Sequence, residues 1–423
     1  MEEKLKLAGL EMKYFIPITG ILLIAMYMGA LPKGMLGAFP ILMVIGAILD
    51  YIGNKTPIIK DYLGGGPIVI IFASAAFVYY GVFPKETVDN LKGFMNAQGF
   101  LDFYIAALIT GSILGMNRDL LIKAAIKYLP VIIGGVAISV LFTGIAGALL
   151  GYGFQKAIFF IAIPIMGGGM GAGAVPLAQI FGKAFAKDPK ELLSIMVPAV
   201  ALGNALAIVI GGLLDKLGHK YTSLSGEGKL LKSQEMLEVE KEEDVKIKYE
   251  NLAVGVLIAT TFFVTGSLLS KFINIHPYAL MIISVAVIKS VGVLRRDYEQ
   301  CASQWFQFVM KAFTPALLVG IGVAYTSLKE VIEAFSPIYL VLVATTVIGA
   351  VIGTGIMGYL LGFYPIEAAI TAGLCMANMG GTGDVAVLSA SKRMVLMPFA
   401  QISSRIGGAF MLLLTSLLIN IFL

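Results

Sequence analysis

Apolar residues run along this chain in long blocks, with polar residues gathered in the intervals between them. The stretches 14–31, 129–150, 196–214, 252–272, 339–361 and 402–423 each approach the roughly 20 residues that cross a bilayer as a helix. Beyond the first block, the same pattern predicts segments at 38–53, 67–83, 100–116, 128–151, 192–214, 251–272, 277–292, 308–326, 338–362 and 397–423. Two more, 155–185 and 365–391, are apolar but broken in the middle by glycine runs. Residues 215–250 are the one clearly hydrophilic stretch, with Lys241-Glu242-Glu243-Asp244, and read as a solvated linker. Lys4, Lys6 and Lys13 precede the first block as in a secretory signal. Pro32-Lys33-Gly34 follows it where a small-residue cleavage site would stand, so a retained first span is expected.

Composition fits this pattern. The chain is 58% apolar and 13% charged, against about half and a quarter in soluble domains. This excludes an ordinary soluble fold and predicts an all-α polytopic membrane protein. Glycines number 49, in keeping with small residues that let membrane helices approach closely. Cys301 and Cys375 are the only cysteines, so no disulfide framework is implied. A net charge of +5 gives no ground for a nucleic-acid partner, since basic residues beside spans more often set topology.

The two halves align at a shift of roughly 210 residues: Pro67 falls on Pro277, Leu120 on Leu328, and Pro130 near Pro337. Gly168-Gly169-Met170-Gly171 falls on Gly380-Gly381-Thr382-Gly383, and Met196-Val197-Pro198 meets Leu396-Met397-Pro398 after about 12 fewer residues. Such repetition marks many secondary transporters. The expected organisation is an N-terminal segment and first span (1–37), a first repeat (38–214), the linker (215–250) and a second repeat (251–423). If each glycine-broken segment is a re-entrant hairpin, each half has five crossings and the repeats are inverted. With the first span this makes eleven crossings, an N-terminus in the cytoplasm and a C-terminus outside. Outside the linker and Arg405, 14 Lys/Arg then lie inside and nine outside, including Lys55, Lys60, Arg118, Lys123, Lys127, Arg295, Arg296, Lys392 and Arg393 on the inner side. That is the sense of the positive-inside rule.

Candidate chemistry gathers at the glycine breaks. Non-helical backbone at membrane depth is tolerated only inside protein or along a wet cavity. A glycine tip exposes N–H groups at the positive end of the returning half-helix, where carboxylates bind. Glycines can equally serve close helix packing, but two breaks at matching positions favour the tips. Arg405 would lie about 12 Å into the last helix, where an arginine costs at least ~2.5 kcal/mol to insert. A partner is therefore expected, and the planar guanidinium suits a carboxylate; snorkelling or pairing with Asp384 are the alternatives. Asp384 could complement its helix N-terminus or, with Asn378, Ser403, Ser404 and nearby carbonyls, offer hard oxygens to sodium. In the first hairpin Gln179 is the comparable side chain, beside backbone oxygens around Ile165–Gly167. No strand precedes Gly169–Gly173, which excludes a nucleotide loop. His219 and His276 make no metal pair, and Gly381–Asp384 lacks the second aspartate of an intramembrane protease.

At these residues the chain resembles the 2-hydroxycarboxylate transporter family of sodium–citrate symporters and malate or citrate–lactate carriers. The resemblance spans about residues 14–423 and rests on Met166 through Leu177, Ala377 through Ser389, and Gln401 through Gly408. It implies a homodimeric elevator in the cell (inner) membrane, without cofactor, coupled to Na+. The substrate, a small di- or tricarboxylate, would meet Gly169, Met170, Gly171, Gly381, Thr382, Gly383, Ser404 and Arg405. Sodium would lie near Cys375, Met376, Asn378 and Ser404, supported by Asp384, and near Ile165 and Gly167. Citrate-specific members carry Asn in the first motif and Arg just before the second, where this chain has Met170 and Met379. Malate is therefore expected to be preferred. Proton coupling or precursor–product exchange are the alternatives on the same fold. An anion channel or an intramembrane enzyme would belong to another class.

Overall fold

In a bilayer every backbone N–H and C=O must be satisfied inside the protein, so long apolar blocks become helices. The structure, a computed structural model, describes residues 6–57, 66–116, 118, 127–232, 248–273 and 275–422. Apart from a two-stranded ribbon at Lys6–Leu7 and Leu10–Glu11, the described chain is built of helices. Among the described residues, eight helices are long and apolar enough to cross a membrane, including Met35–Lys55, Leu129–Leu149, Pro189–Lys220, Arg296–Tyr325 and Pro337–Leu360. Shorter apolar helices include Met12–Tyr27, Phe154–Ile165, Pro277–Val291 and Pro365–Leu374.

The helices sort into two packed bodies. One contains Met35–Lys55, Gly66–Tyr79, Lys85–Met95, Phe100–Leu114, Tyr249–Leu269, Pro277–Val291 and Arg296–Tyr325. The other contains Leu129–Leu149, Pro189–Lys220, Pro337–Leu360, both glycine-broken segments and the terminal helix 397–422. Each half of the sequence thus gives its first helices to one body and its last to the other. In the second body, Leu129–Leu149 and Pro337–Leu360 cross with backbones in contact. A Cβ on Gly353 would stand 2.8 Å from Gly135 Cα, and one on Gly349 2.8 Å from Ser139 Cα. Ser139 Oγ donates to Thr346 O at 2.8 Å across the same seam.

Three elements depart from the hydrophobic pattern. Arg296–Tyr325 starts well before 308 because its polar first turns are held by a buried ion pair. Lys289 Nζ donates to Glu299 Oε2 at 2.7 Å and to Leu114 O at 2.8 Å. Lys85–Met95 is an amphipathic helix burying Val88, Leu91, Phe94 and Met95, too polar on its other face to register as an apolar block. The stretch from 215 is also more than a connection. Pro189–Lys220 runs into its first residues, and Leu230 O and Gly362 O accept from Tyr364 N and Lys232 N at 3.0 and 2.9 Å. Lys241–Asp244, Lys60, Leu120 and Lys123 lie outside the described residues.

Candidate functional site

Each glycine-broken segment folds into a hairpin. In the first, Phe159 packs against Phe181 and Phe185 with ring centroids 5.5 and 5.6 Å apart, so the arms Phe154–Ile165 and 170–185 lie side by side. The turn needs glycine: Gly168 and Gly169 have φ of +77° and +114°, open to glycine but strained for other residues. In the second hairpin Gly380 has φ +74° between the arms Pro365–Leu374 and Gly381–Ala390. The descending arms carry π-helical turns at matching places, Ile158–Ala162 and Ala369–Leu374. A buried ionic knot closes the base of the second hairpin. Arg393 Nε donates to Glu367 Oε1 and its Nη1 to Asp215 Oδ1, both at 3.1 Å. Ser225 Oγ and Gly226 N also donate to Glu367, at 3.0 and 2.8 Å.

The two tips meet each other and the terminal helix. A Cβ on Gly169 would stand 2.8 Å from Met379 O, and one on Gly380 3.3 Å from Gly168 O. A Cβ on Gly168 would stand 2.5 Å from Ser404 O, and one on Gly408 2.9 Å from Gly167 O. Residues more than 200 positions apart in sequence are thus in backbone contact. Gly171 is half-buried and faces the other body, with Leu317, Tyr104 and Leu108 at 3.7–4.0 Å from its virtual Cβ. Met170 is buried. The side-chain environments of Gly381 and Thr382 lie outside the described residues; their backbone begins the helix Gly381–Ala390.

Behind the second tip sits a buried oxygen cluster. Asp384 accepts from Asn378 Nδ2 at 2.9 Å and from Ser404 Oγ at 3.0 and 2.9 Å to its two oxygens. Ser404 Oγ also lies 3.1 Å from Cys375 O. Several acceptor oxygens therefore converge on one hydroxyl that has a single proton to give. Asn378 Oδ1 accepts from Gly380 N at 2.7 Å, tying the tip to the cluster. Met376 and Cys375 are fully buried, and Met376 Sδ abuts the position a Cβ of Gly407 would take, at 2.6 Å. Arg405 is half-buried in the π-helical turn Ser403–Gly407, one residue after Ser404, its guanidinium 5.5 Å from the Phe306 ring centroid. Wide π turns interrupting helices frequently sit at functional sites.

The fold therefore brings together Gly167, Gly169, Asn378, Gly383, Asp384, Ser404 and the carbonyl of Cys375. Ile165 packs beneath them against Gly203, with 3.1 Å from that glycine's virtual Cβ to Ile165 Cγ2. Gln179 stands on the returning arm of the first hairpin, in the helix Val175–Phe185. Sequence reasoning passed over Asn204, whose Oδ1 accepts from Met379 N at 3.1 Å, and Tyr128, whose hydroxyl accepts from Ser403 Oγ at 3.0 Å. Single polar residues on long apolar helices were the only available signal for both. Phe306 gave none, being one phenylalanine among 25.

Bilayer-length helices around two glycine-tipped hairpins, with a buried carboxylate and a half-buried arginine between them, define a multi-pass membrane transport protein. The chain belongs to the 2-hydroxycarboxylate transporter family, whose model matches residues 7–417. It is 38% identical over 424 residues to a citrate/sodium symporter of Salmonella typhimurium, covering 99% of this chain and 95% of that one. It is 40% identical over 405 residues to a Na(+)-malate symporter of Bacillus subtilis, with 95% and 90% covered. A citrate transporter of Leuconostoc mesenteroides is 38% identical over 419 residues, with 99% and 94% covered. The protein is a transporter and not an enzyme.

Proposed function

We propose that the protein is a secondary active carrier that couples inward Na+ movement to uptake of a 2-hydroxycarboxylate, with malate preferred over citrate. The meeting of the two hairpin tips beside Asp384 and Arg405 carries this reading. Substrate carboxylates are held by the N–H groups of the tips at Gly169–Gly171 and Gly381–Gly383, and by the Arg405 guanidinium. The cluster of Asp384, Asn378, Ser404 and the Cys375 carbonyl supplies hard oxygens, with no thiolate or imidazole, as suits Na+. A second cation position uses the carbonyls of Ile165 and Gly167. Coupling then has a physical cause. Each buried charge is costly alone, and anion and cation offset that cost for one another when both are present.

Met170 and Met379 support the malate preference. Neither thioether can neutralise or donate to a third carboxylate, so citrate would leave one desolvated charge without a partner. The proposal includes inverted repeats, re-entrant hairpins, eleven crossings, a cytoplasmic N-terminus and an outer C-terminus. It further includes an elevator movement of the hairpin body against the other in a homodimer. Matching π turns and left-handed glycines in the two hairpins favour the repeat; the sparse contact between the bodies favours their relative motion. The test is uptake by purified protein in proteoliposomes, using labelled malate against a panel of unlabelled hydroxy acids, with and without a sodium gradient at fixed pH. Sodium-driven uptake competed more strongly by malate than by citrate is expected. Uptake driven equally well by a proton gradient or by internal exchange substrate would overturn the coupling, and citrate winning at equal concentration would overturn the preference.

A further inference from the structure

Asn204 stands on the first-half helix Pro189–Lys220 yet reaches into the second hairpin. Its side chain is fully buried. The Oδ1 atom accepts from Met379 N at 3.1 Å, and the virtual Cβ of Gly383 would stand 2.6 Å from it. The amide thus lies against the tip and the first turn of the ten-residue helix Gly381–Ala390. Because a backbone N–H can pair only with the oxygen of that amide, its orientation is determined and Nδ2 must face away from Met379. That NH2 group has no acceptor among the described residues. Buried polar groups are nearly always satisfied, and one without a partner asks for an explanation.

We propose that Asn204 is a further residue of the anion site, with Nδ2 donating to a substrate carboxylate once one is held at the second tip. An NH2 group offers only donors, so it cannot serve the cation; a carboxylate oxygen is the complementary ligand. It lies beside a helix N-terminus, where backbone donors already favour an anion. The first half would then help to read a substrate otherwise held by the second hairpin and Arg405. At the corresponding place in the second half, 200 residues on, Ser404 serves the oxygen cluster instead. This assignment rests on the carrier reading proposed above.

Asn204→Asp is nearly isosteric and keeps an oxygen for Met379 N–H while removing the donor and adding a negative charge. Asn204→Ala removes both hydrogen bonds. KM for malate and half-saturation by Na+ are measured for wild type and both variants in proteoliposomes, after a melting curve of each purified protein. Malate KM is expected to rise about tenfold or more in Asn204→Asp and by a smaller factor in Asn204→Ala, tenfold being 1.4 kcal/mol. Sodium half-saturation at saturating malate stays within about twofold of wild type. If Asn204 merely braces the tip, Asn204→Asp will behave as wild type and only Asn204→Ala will fail, which overturns the assignment. A wild-type malate KM in Asn204→Ala overturns it as well, even should the aspartate variant not fold, and so does a change confined to sodium. Wild-type protein that takes up no hydroxycarboxylate would remove the transport reading itself, and this assignment with it.

Discussion

Arg405 and Asp384 define what single residues contribute here. A guanidinium at this depth is costly to insert, and it rests against the Phe306 ring, whose π face attracts cations. Arg405→Ala is expected to lower malate uptake at least about 100-fold, roughly 2.7 kcal/mol, with the purified protein keeping its melting temperature. Arg405→Lys should recover little of this, because a point charge cannot make the planar two-point contact; uptake in proteoliposomes checks both. Asp384 lies in a different chemical setting, among acceptor oxygens that crowd one hydroxyl. Asp384→Asn keeps the shape and removes the charge. It should raise the sodium concentration for half-maximal uptake about tenfold or more, and unchanged sodium dependence would remove Asp384 from the cation site.

At the scale of the element, the hairpins are held at both ends by different physics. The tips depend on backbone that only glycine adopts without strain. In Gly169→Ala the new Cβ would meet Met379 O at 2.8 Å at a φ of +114°, a left-handed conformation costing about 1–3 kcal/mol for other residues. Lower thermal stability and loss of uptake are expected, read by a melting curve and by malate flux. Gly171→Ala has no atom closer than 3.7 Å to its Cβ and should melt as wild type. The base of the second hairpin depends on charge. Arg393 is buried between Asp215 and Glu367, themselves 3% and 0% exposed. Arg393→Gln leaves the buried Glu367 without its cation and Asp215 with Lys392, 3.1 Å away, a loss of about 3–5 kcal/mol, visible as a large fall in melting temperature.

For the whole molecule, the interface between the two bodies is where transport would be gated. Gly171 faces Leu317, Tyr104 and Leu108, and Arg405 faces Phe306, all across that seam. A disulfide between Gly171→Cys and Leu317→Cys should arrest uptake under oxidation and release it on reduction, since both native cysteines are buried. Transport that continues at the wild-type rate in the cross-linked protein would exclude relative motion of the bodies at this point.

Much of this was legible in one dimension. Apolar blocks of bilayer length require helices, whatever their partners. The paired glycine motifs marked the hairpin turns, because a left-handed backbone leaves a residue-type signature. The ion knot was not legible, since Asp215, Glu367 and Arg393 are distant in sequence and two of them sit in stretches read as linker or hairpin edge. The early start of Arg296–Tyr325 was hidden because hydropathy counts Lys289 and Glu299 as polar, whereas the fold buries them as a pair that also bonds the distant Leu114 carbonyl. The sequence by itself determined membrane class, helix content and the residue types at the tips, all properties of local pattern. Only the tertiary structure decided that the tips touch and that Asn204 crosses from one half to the other. Those depend on packing between segments about 150 residues or more apart, which no local periodicity encodes.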